Sequence, residues 1–171
     1  MRRKRALCLL AMGIGILIVS PLFALDSEMN RATLKGLRGV RVLVEDLASE
    51  VEREGLVKEQ LQKGIEERLR QAGIRILTQE EAVKAPGEPY LYVNINVSFD
   101  KGREICSYSI DAALIQNVTL VRSPKQTTYA VTWSTGGVGL ISRKSLSELK
   151  ESVEEIADIF GKAFLSVNPK K

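Results

Sequence analysis

Across residues 90–100 hydrophobic and polar side chains alternate almost without a break. Leu91, Val93, Ile95, Val97 and Phe99 take one side, and Tyr90, Tyr92, Asn94, Asn96, Ser98 and Asp100 the other. A period of two predicts a strand with one buried and one wet face. Residues 105–121 predict a second, longer strand, with Cys106, Tyr108, Ile110, Ala112, Leu114, Val118 and Leu120 on its apolar side and Gln116 interrupting that side. Residues 127–134 predict a third. Turns at Lys101-Gly-Arg and Ser123-Pro-Lys join the three into an antiparallel meander.

Upstream, Val40, Val42 and Val44 mark a strand over 40–44, and Ile74-Arg-Ile-Leu a short one over 74–77. Between them Val57, Leu61, Ile65, Leu69 and Ala72 recur at spacings of four or three, one face of a helix, and Gly73 stands at its C-terminal cap. Strand, helix and strand at this length predict a parallel crossover. Thr78-Gln-Glu-Glu fits a capping box opening a short helix that ends by Ala85, ahead of Pro86. Residues 25–39 have no clear period, and the acidic 45–55 predict a loop. A second capping-box pattern, Ser145-Leu-Ser-Glu, opens a helix carrying Leu146, Leu149, Val153, Ile156, Phe160, Ala163 and Val167, stopped at Asn168-Pro169. The same heptad spacing also fits a coiled coil, but the sheet needs a cover. The expected fold is a single α+β domain over 25–171. Its two layers are a mixed sheet of about five strands and two main helices on one face.

The chain starts differently. Residues 2–5 are basic, residues 6–19 apolar, and Ser20-Pro-Leu-Phe-Ala ends in a small residue. That layout predicts a secretory signal peptide over 1–24, cleaved after Ala24, and a periplasmic or secreted product. The uncharged run of 20 residues before Asp26 also allows a retained membrane anchor. Cys8 lies at the beginning of the apolar run, where a lipoprotein cysteine does not belong, and Arg2-Arg3 reads as ordinary leader charge.

Charge must be read after that cleavage. The 25 Lys and Arg residues exceed the 21 Asp and Glu only through Arg2, Arg3, Lys4 and Arg5, so the mature chain is formally neutral. A nucleic-acid surface is not implied, and no integral span follows the signal. Only Cys106 remains after cleavage, so no internal disulfide forms, and its strand position predicts a core thiol.

The absence of histidine from the whole sequence removes the usual general base, triad member and metal ligand. No Cys or His cluster suits a metal, and no cofactor motif is present. Gly136-Gly-Val-Gly139 matches neither a Walker nor a dinucleotide fingerprint, and predicts a strand-to-helix connection with positive φ. With Arg143 and Lys144 beyond it, Gly137 and Gly139 make a candidate contact for an anionic headgroup. Glu45-Asp46 and Glu80-Glu81 are the candidate carboxylate pairs for a hydrolase, the second also suiting a helix's first turn. The better lead is the polar face of the 90–100 strand, where Tyr90, Tyr92, Asn94 and Asn96 make a candidate binding surface. Tyr129, Val131 and Trp133 share a period-two set whose face the pattern leaves open. Asn96-Val-Ser and Asn117-Val-Thr are glycosylation sequons that carry no meaning in a bacterial-type exported protein.

The stretches VRVLVEDL (40–47), GIRILTQEE (73–81), PYLYVNINV (89–97), TWSTGGVG (132–139) and LSVNP (165–169) resemble a family of small secreted bacterial proteins without an assigned activity. More loosely, the element order is similar to periplasmic envelope-assembly modules, such as the N-terminal domain of the Tol-system propeller protein and the auxiliary lipoproteins of envelope transporters. The missing lipobox departs from the latter. The resemblance implies a fold. The function expected is a non-enzymatic exported domain binding an envelope protein or assembly partner. The alternatives are a carrier of a small apolar ligand or lipid, and a carboxylate hydrolase using Glu45 and Asp46.

Overall fold

A computed structural model describes residues 25–100, 102 and 104–169; the expected signal peptide lies outside the described residues. Helix α1 (Glu28–Ala32) leads into β1 (Arg41–Val44), α2 (Ser49–Arg53), α3 (Lys58–Gln71) and α4 (Gln79–Lys84). The strands β2 (Tyr90–Phe99), β3 (Ile105–Leu120) and β4 (Ser123–Ser142) follow, then a 3-10 turn (Arg143–Glu148) and α5 (Leu149–Val167). The four strands lie in sequence order, β1 parallel to β2 and the rest antiparallel. This is the α+β, mixed-sheet architecture read from the pattern.

The alternation of β2 sets the layers. Leu91, Val93 and Ile95 are buried under the helices together with Val42 and Val44 of β1 and Ile110, Ala112 and Leu114 of β3. Helices α3 and α5 supply the other half of that core through Leu61, Ile65, Leu69, Val153, Ile156 and Phe160. Their polar flanks are tied by Arg68, which reaches Glu154 at 3.1 Å and Asp158 at 2.7 Å.

Several expectations change. The expected strand at 74–77 reduces to a single parallel bridge between Val40 and Ile76. Thr78 ends it by capping α4, with both bonds of the capping box formed, so too few residues remain after the Gly73 turn to extend the pairing. The acidic 45–55 stretch contains α2, held by one buried side chain, Val51. The aperiodic 25–39 stretch contains α1, capped by Ser27. The Ser145 capping box does not form. Residues 143–148 wind as a 3-10 turn, whose period of three puts Leu146 and Leu149 together in the core.

The largest correction concerns β4. Gly136-Gly-Val-Gly139 is no connection: it lies inside a strand of 20 residues, and none of its glycines has positive φ. Neighbours fill the side-chain space instead. A Cβ on Gly136 would meet the Ile110 carbonyl oxygen at 2.6 Å, and one on Gly139 the Tyr108 hydroxyl at 2.6 Å.

Candidate functional site

The sheet face away from the helices carries Tyr90, Tyr92, Asn94 and Asn96 in one row along β2. Opposite them on β3 stand Ile115, Ala113, Asp111 and Ser109. β1 adds Arg41 beside Tyr90 and Leu43 beside Tyr92. The long helices α3 and α5 pack on the other side, and α4 borders the row only at its Tyr90 end, where Gln79, Ala82 and Val83 line a small pocket with Tyr90 and Tyr129. The three residues Tyr90, Tyr92 and Asn94 are half-buried by their neighbours, and Asn96 is exposed.

A β-bulge on β4 completes the face. Leu114 pairs with Trp133, but Ile115 pairs with Val131, leaving Thr132 as the extra residue. The bulge inverts the strand's parity. Trp133 therefore enters the core while Tyr129 and Val131 turn to the open face, so the period-two set of the sequence is split. Gln116, the polar break in the β3 apolar side, donates to the Thr132 hydroxyl at 2.8 Å and so holds the bulge. Beyond it the even residues face outward. The result is an apolar margin: Tyr129, Val131, Val138 and Leu140 are 53%, 46%, 46% and 66% exposed.

At the β2 start the face carries a polar cluster invisible in the sequence. Glu88 lies in a Pro-Gly-Glu-Pro turn with φ of 44°, left-handed for a non-glycine residue. Its carboxylate accepts from Tyr129 Oη at 2.5 Å and Asn117 Nδ2 at 3.1 Å. Both hydrogen bonds, that from Tyr129 foremost, hold its pKa below the usual carboxylate range. The Tyr129 ring meets Tyr90 edge-on at 6.3 Å. The only sequence signal for Glu88 was the turn, because its partners come from distant β3 and β4.

Tyr92 donates to Glu45. That bond, with burial behind it, pushes the Tyr92 pKa up to about 12. Unfolded tyrosine ionises near 10 (about 10,). The neutral phenol is thus favoured by folding: its contribution is complete below about pH 10 and lost as pH rises through about 12. In an alkaline titration followed by ultraviolet absorbance, Tyr92 should ionise last of the tyrosines. Tyr92→Phe should remove that late step and leave the earlier ones.

The other candidate residues are dispersed. Gly137 and Gly139 are strand residues. Arg143 is held by Glu54 at 2.5 Å and Glu50 at 3.4 Å and lies over the Phe99 ring, 4.7 Å from its centroid. Lys144 reaches Glu104 at 3.4 Å. These four do not converge into an anion cradle. Of the carboxylate pairs, Glu45 accepts from Tyr92, Asp46 pairs with Lys58, and Glu81 is occupied by its cap and Arg75. Cys106 is buried, and burial pushes its thiol pKa up. Among the described residues no cluster of carboxylates and thiol has metal-binding geometry, and no helix is long and apolar enough to cross a membrane.

A groove of about 450 Å³ runs between α5 and the margin of β4, lined by Ile110, Gly136, Gly137, Ile156 and Ile159, with Asp26 and Glu155 among its polar lining.

No protein-family model matches this chain, and no curated protein matches it. Among solved structures, a dodecamer of a PelC point variant from Paraburkholderia phytofirmans aligns with 22% identity and a TM-score of 0.43, over 75% of this chain and 92% of that one.

Proposed function

We propose that this chain is a non-enzymatic exported domain that holds an envelope protein partner on its open sheet face. The observation that carries the reading is the face itself. Both long helices pack on one side of the sheet, leaving the row of Tyr90, Tyr92, Asn94 and Asn96 beside an exposed apolar margin. Tyrosines over an apolar patch with amides around it are the composition of protein-binding surfaces. A protein is the occupant favoured because the row is wide and shallow, whereas small ligands are held in concave sites. Export rests on the leader pattern of residues 1–24.

In-cell cross-linking followed by envelope fractionation tests the proposal. The wild-type chain should appear in the envelope fraction, cross-linked to a second protein. Alanine at Tyr90, Tyr92 and Asn94 together should cut that capture by about tenfold or more, as loss of interface anchors does, while circular dichroism stays unchanged. Capture that survives in the folded triple variant rules out this face.

A second reading, an apolar-ligand carrier, is favoured by the α5–β4 groove, whose volume of about 450 Å³ falls in the range of ligand pockets. Native mass spectrometry of the recovered protein would show the ligand as a stoichiometric adduct.

A further inference from the structure

We propose that the free stretch of β4, residues 136–142, pairs antiparallel with the same stretch of a second copy, about a two-fold axis at Gly139. The inference goes beyond the partner reading above and does not rest on it, because it uses the strand's edge and not the face of β2.

β4 ends the sheet, so one side of its backbone has no strand beside it among the described residues. Natural edges are protected by charge, proline or short length. This one has none of these over most of its course: from Gln126 to Ser142 there is no charged side chain and no proline. Two copies therefore meet along the strand without opposing like charges. Among the described residues the chain covers the edge at one place, where the Ser134 amide donates to the Leu25 carbonyl at 3.2 Å and Asn30 Nδ2 donates to the Thr132 carbonyl at 3.1 Å. The bulge and this cover protect the middle of β4, and beyond β3 no other described residue pairs with 136–142.

The Ser134 bond also fixes the register. Its amide points outward, so by alternation the amides and carbonyls of Gly136, Val138, Leu140 and Ser142 point outward too. A two-fold axis at Gly139 sets Val138 against Leu140 of the second copy and Gly136 against its Ser142, each pair exchanging both hydrogen bonds. It uses the whole free stretch and keeps clear of Ser134; an axis at either neighbouring outward residue leaves part of the stretch unpaired or collides with Leu25.

Side chains agree on both faces. On the open face, Val138 and Leu140, 46% and 66% exposed, come together with their symmetry mates. On the helix face, Ile141 of the second copy stands opposite Gly137, whose missing side chain opens the groove lined by Ile110, Ile156 and Ile159. Gly139 meets Gly139, where the two backbones approach most closely. The paired sheets form one continuous open face.

Sedimentation analysis of the full chain, recovered from expressing cells after its native processing, should show a dimer. Val138→Pro removes an outward amide that only the second copy uses, at an edge position where proline is tolerated. It should weaken dimerisation by about tenfold or more with near-ultraviolet circular dichroism unchanged. Leu140→Lys, which spares the backbone, should do the same if the proline variant does not fold. The double variant Val138→Cys, Leu140→Cys should give a disulfide-linked dimer on non-reducing gels, because the two positions oppose each other at bridging distance. A monomer at micromolar concentration, an assembly that both Val138→Pro and Leu140→Lys leave intact, or a dimer in which the cysteines fail to link would each overturn the proposal.

Discussion

Replacing Trp133 by alanine should destabilise the domain by about 3–5 kcal/mol, the range for deleting a large buried aromatic side chain. Trp133 is fully buried at the bulge, where β4 turns from the open face into the core. Its ring packs edge-on against Phe160 of α5, with centroids 5.1 Å apart, and Phe160 in turn meets Phe164 at 6.1 Å. The indole therefore joins the far strand of the sheet to the covering helix. It also binds the start of the chain: Nε1 donates to Asp26 Oδ1 at 2.7 Å, and Asp26 holds Arg31 at 2.6 Å. The Arg31 hydrogen bond foremost, and the indole after it, keep the Asp26 pKa below its ordinary value against the opposing effect of burial. Alanine thus removes the packing and one anchor of residues 25–32 together. Urea unfolding gives the loss directly, and Trp133→Phe separates the two parts. Phenylalanine keeps most of the apolar volume and loses the bond, so it should cost about 2–3 kcal/mol (the order of one charge-assisted hydrogen bond plus a smaller ring,). An alanine variant within about 0.5 kcal/mol of wild type (the usual limit for a surface change,) would mean that α5 is held to the sheet by other contacts.

The same residue shows where the sequence was legible. The alternation of 90–99 named the buried and open faces of β2 residue by residue, and Tyr90, Tyr92, Asn94 and Asn96 share a face because nothing interrupts the period. In β4 the same rule left the face of Trp133 undecided. One extra residue at Thr132 inverts parity, and a bulge depends on pairing with β3 rather than on local composition. The Gly136–Gly139 stretch misled in the other direction. Local chemistry reads three glycines as a turn; the structure uses Gly136 and Gly139 because Ile110 and Tyr108 of β3 occupy the space of their side chains. Glu88 was illegible for a related reason, as its two hydrogen-bond partners lie on two other strands. Periodic signals gave the layers, therefore, while the contacts that finish the candidate site are long-range. The edge proposal has the same character: uncharged strand residues mean little in one dimension, and become an unpaired edge only once strand order is known.

Gly39→Ala should cost about 1–3 kcal/mol or somewhat more, the range for overpacking where the surroundings cannot yield. An alanine Cβ there would lie 2.4 Å from the Arg75 carbonyl oxygen and 3.1 Å from both the Arg75 Cβ and Leu77 Cδ2. The obstructing carbonyl is a backbone group with a bond of its own: it accepts from the Val40 amide at 3.0 Å, while the Leu77 amide donates to the Val40 carbonyl at 2.9 Å. Relief of the clash must move residues 74–77 away from β1 and break this two-bond bridge. It would also draw buried Ile74 and Leu77 out of place and disturb the entry to α4, whose cap, Thr78, follows directly. The effect should be local in character. Amide exchange at Val40 and Leu77 should accelerate strongly, while the β2–β3 pairing keeps its protection, since sheets open in cooperative units. If exchange rises equally across β2 and β3, the bridge belongs to the same cooperative unit as the meander. If it does not change at Leu77, the close approach at Gly39 is absent in solution and the Val40–Ile76 bridge with it.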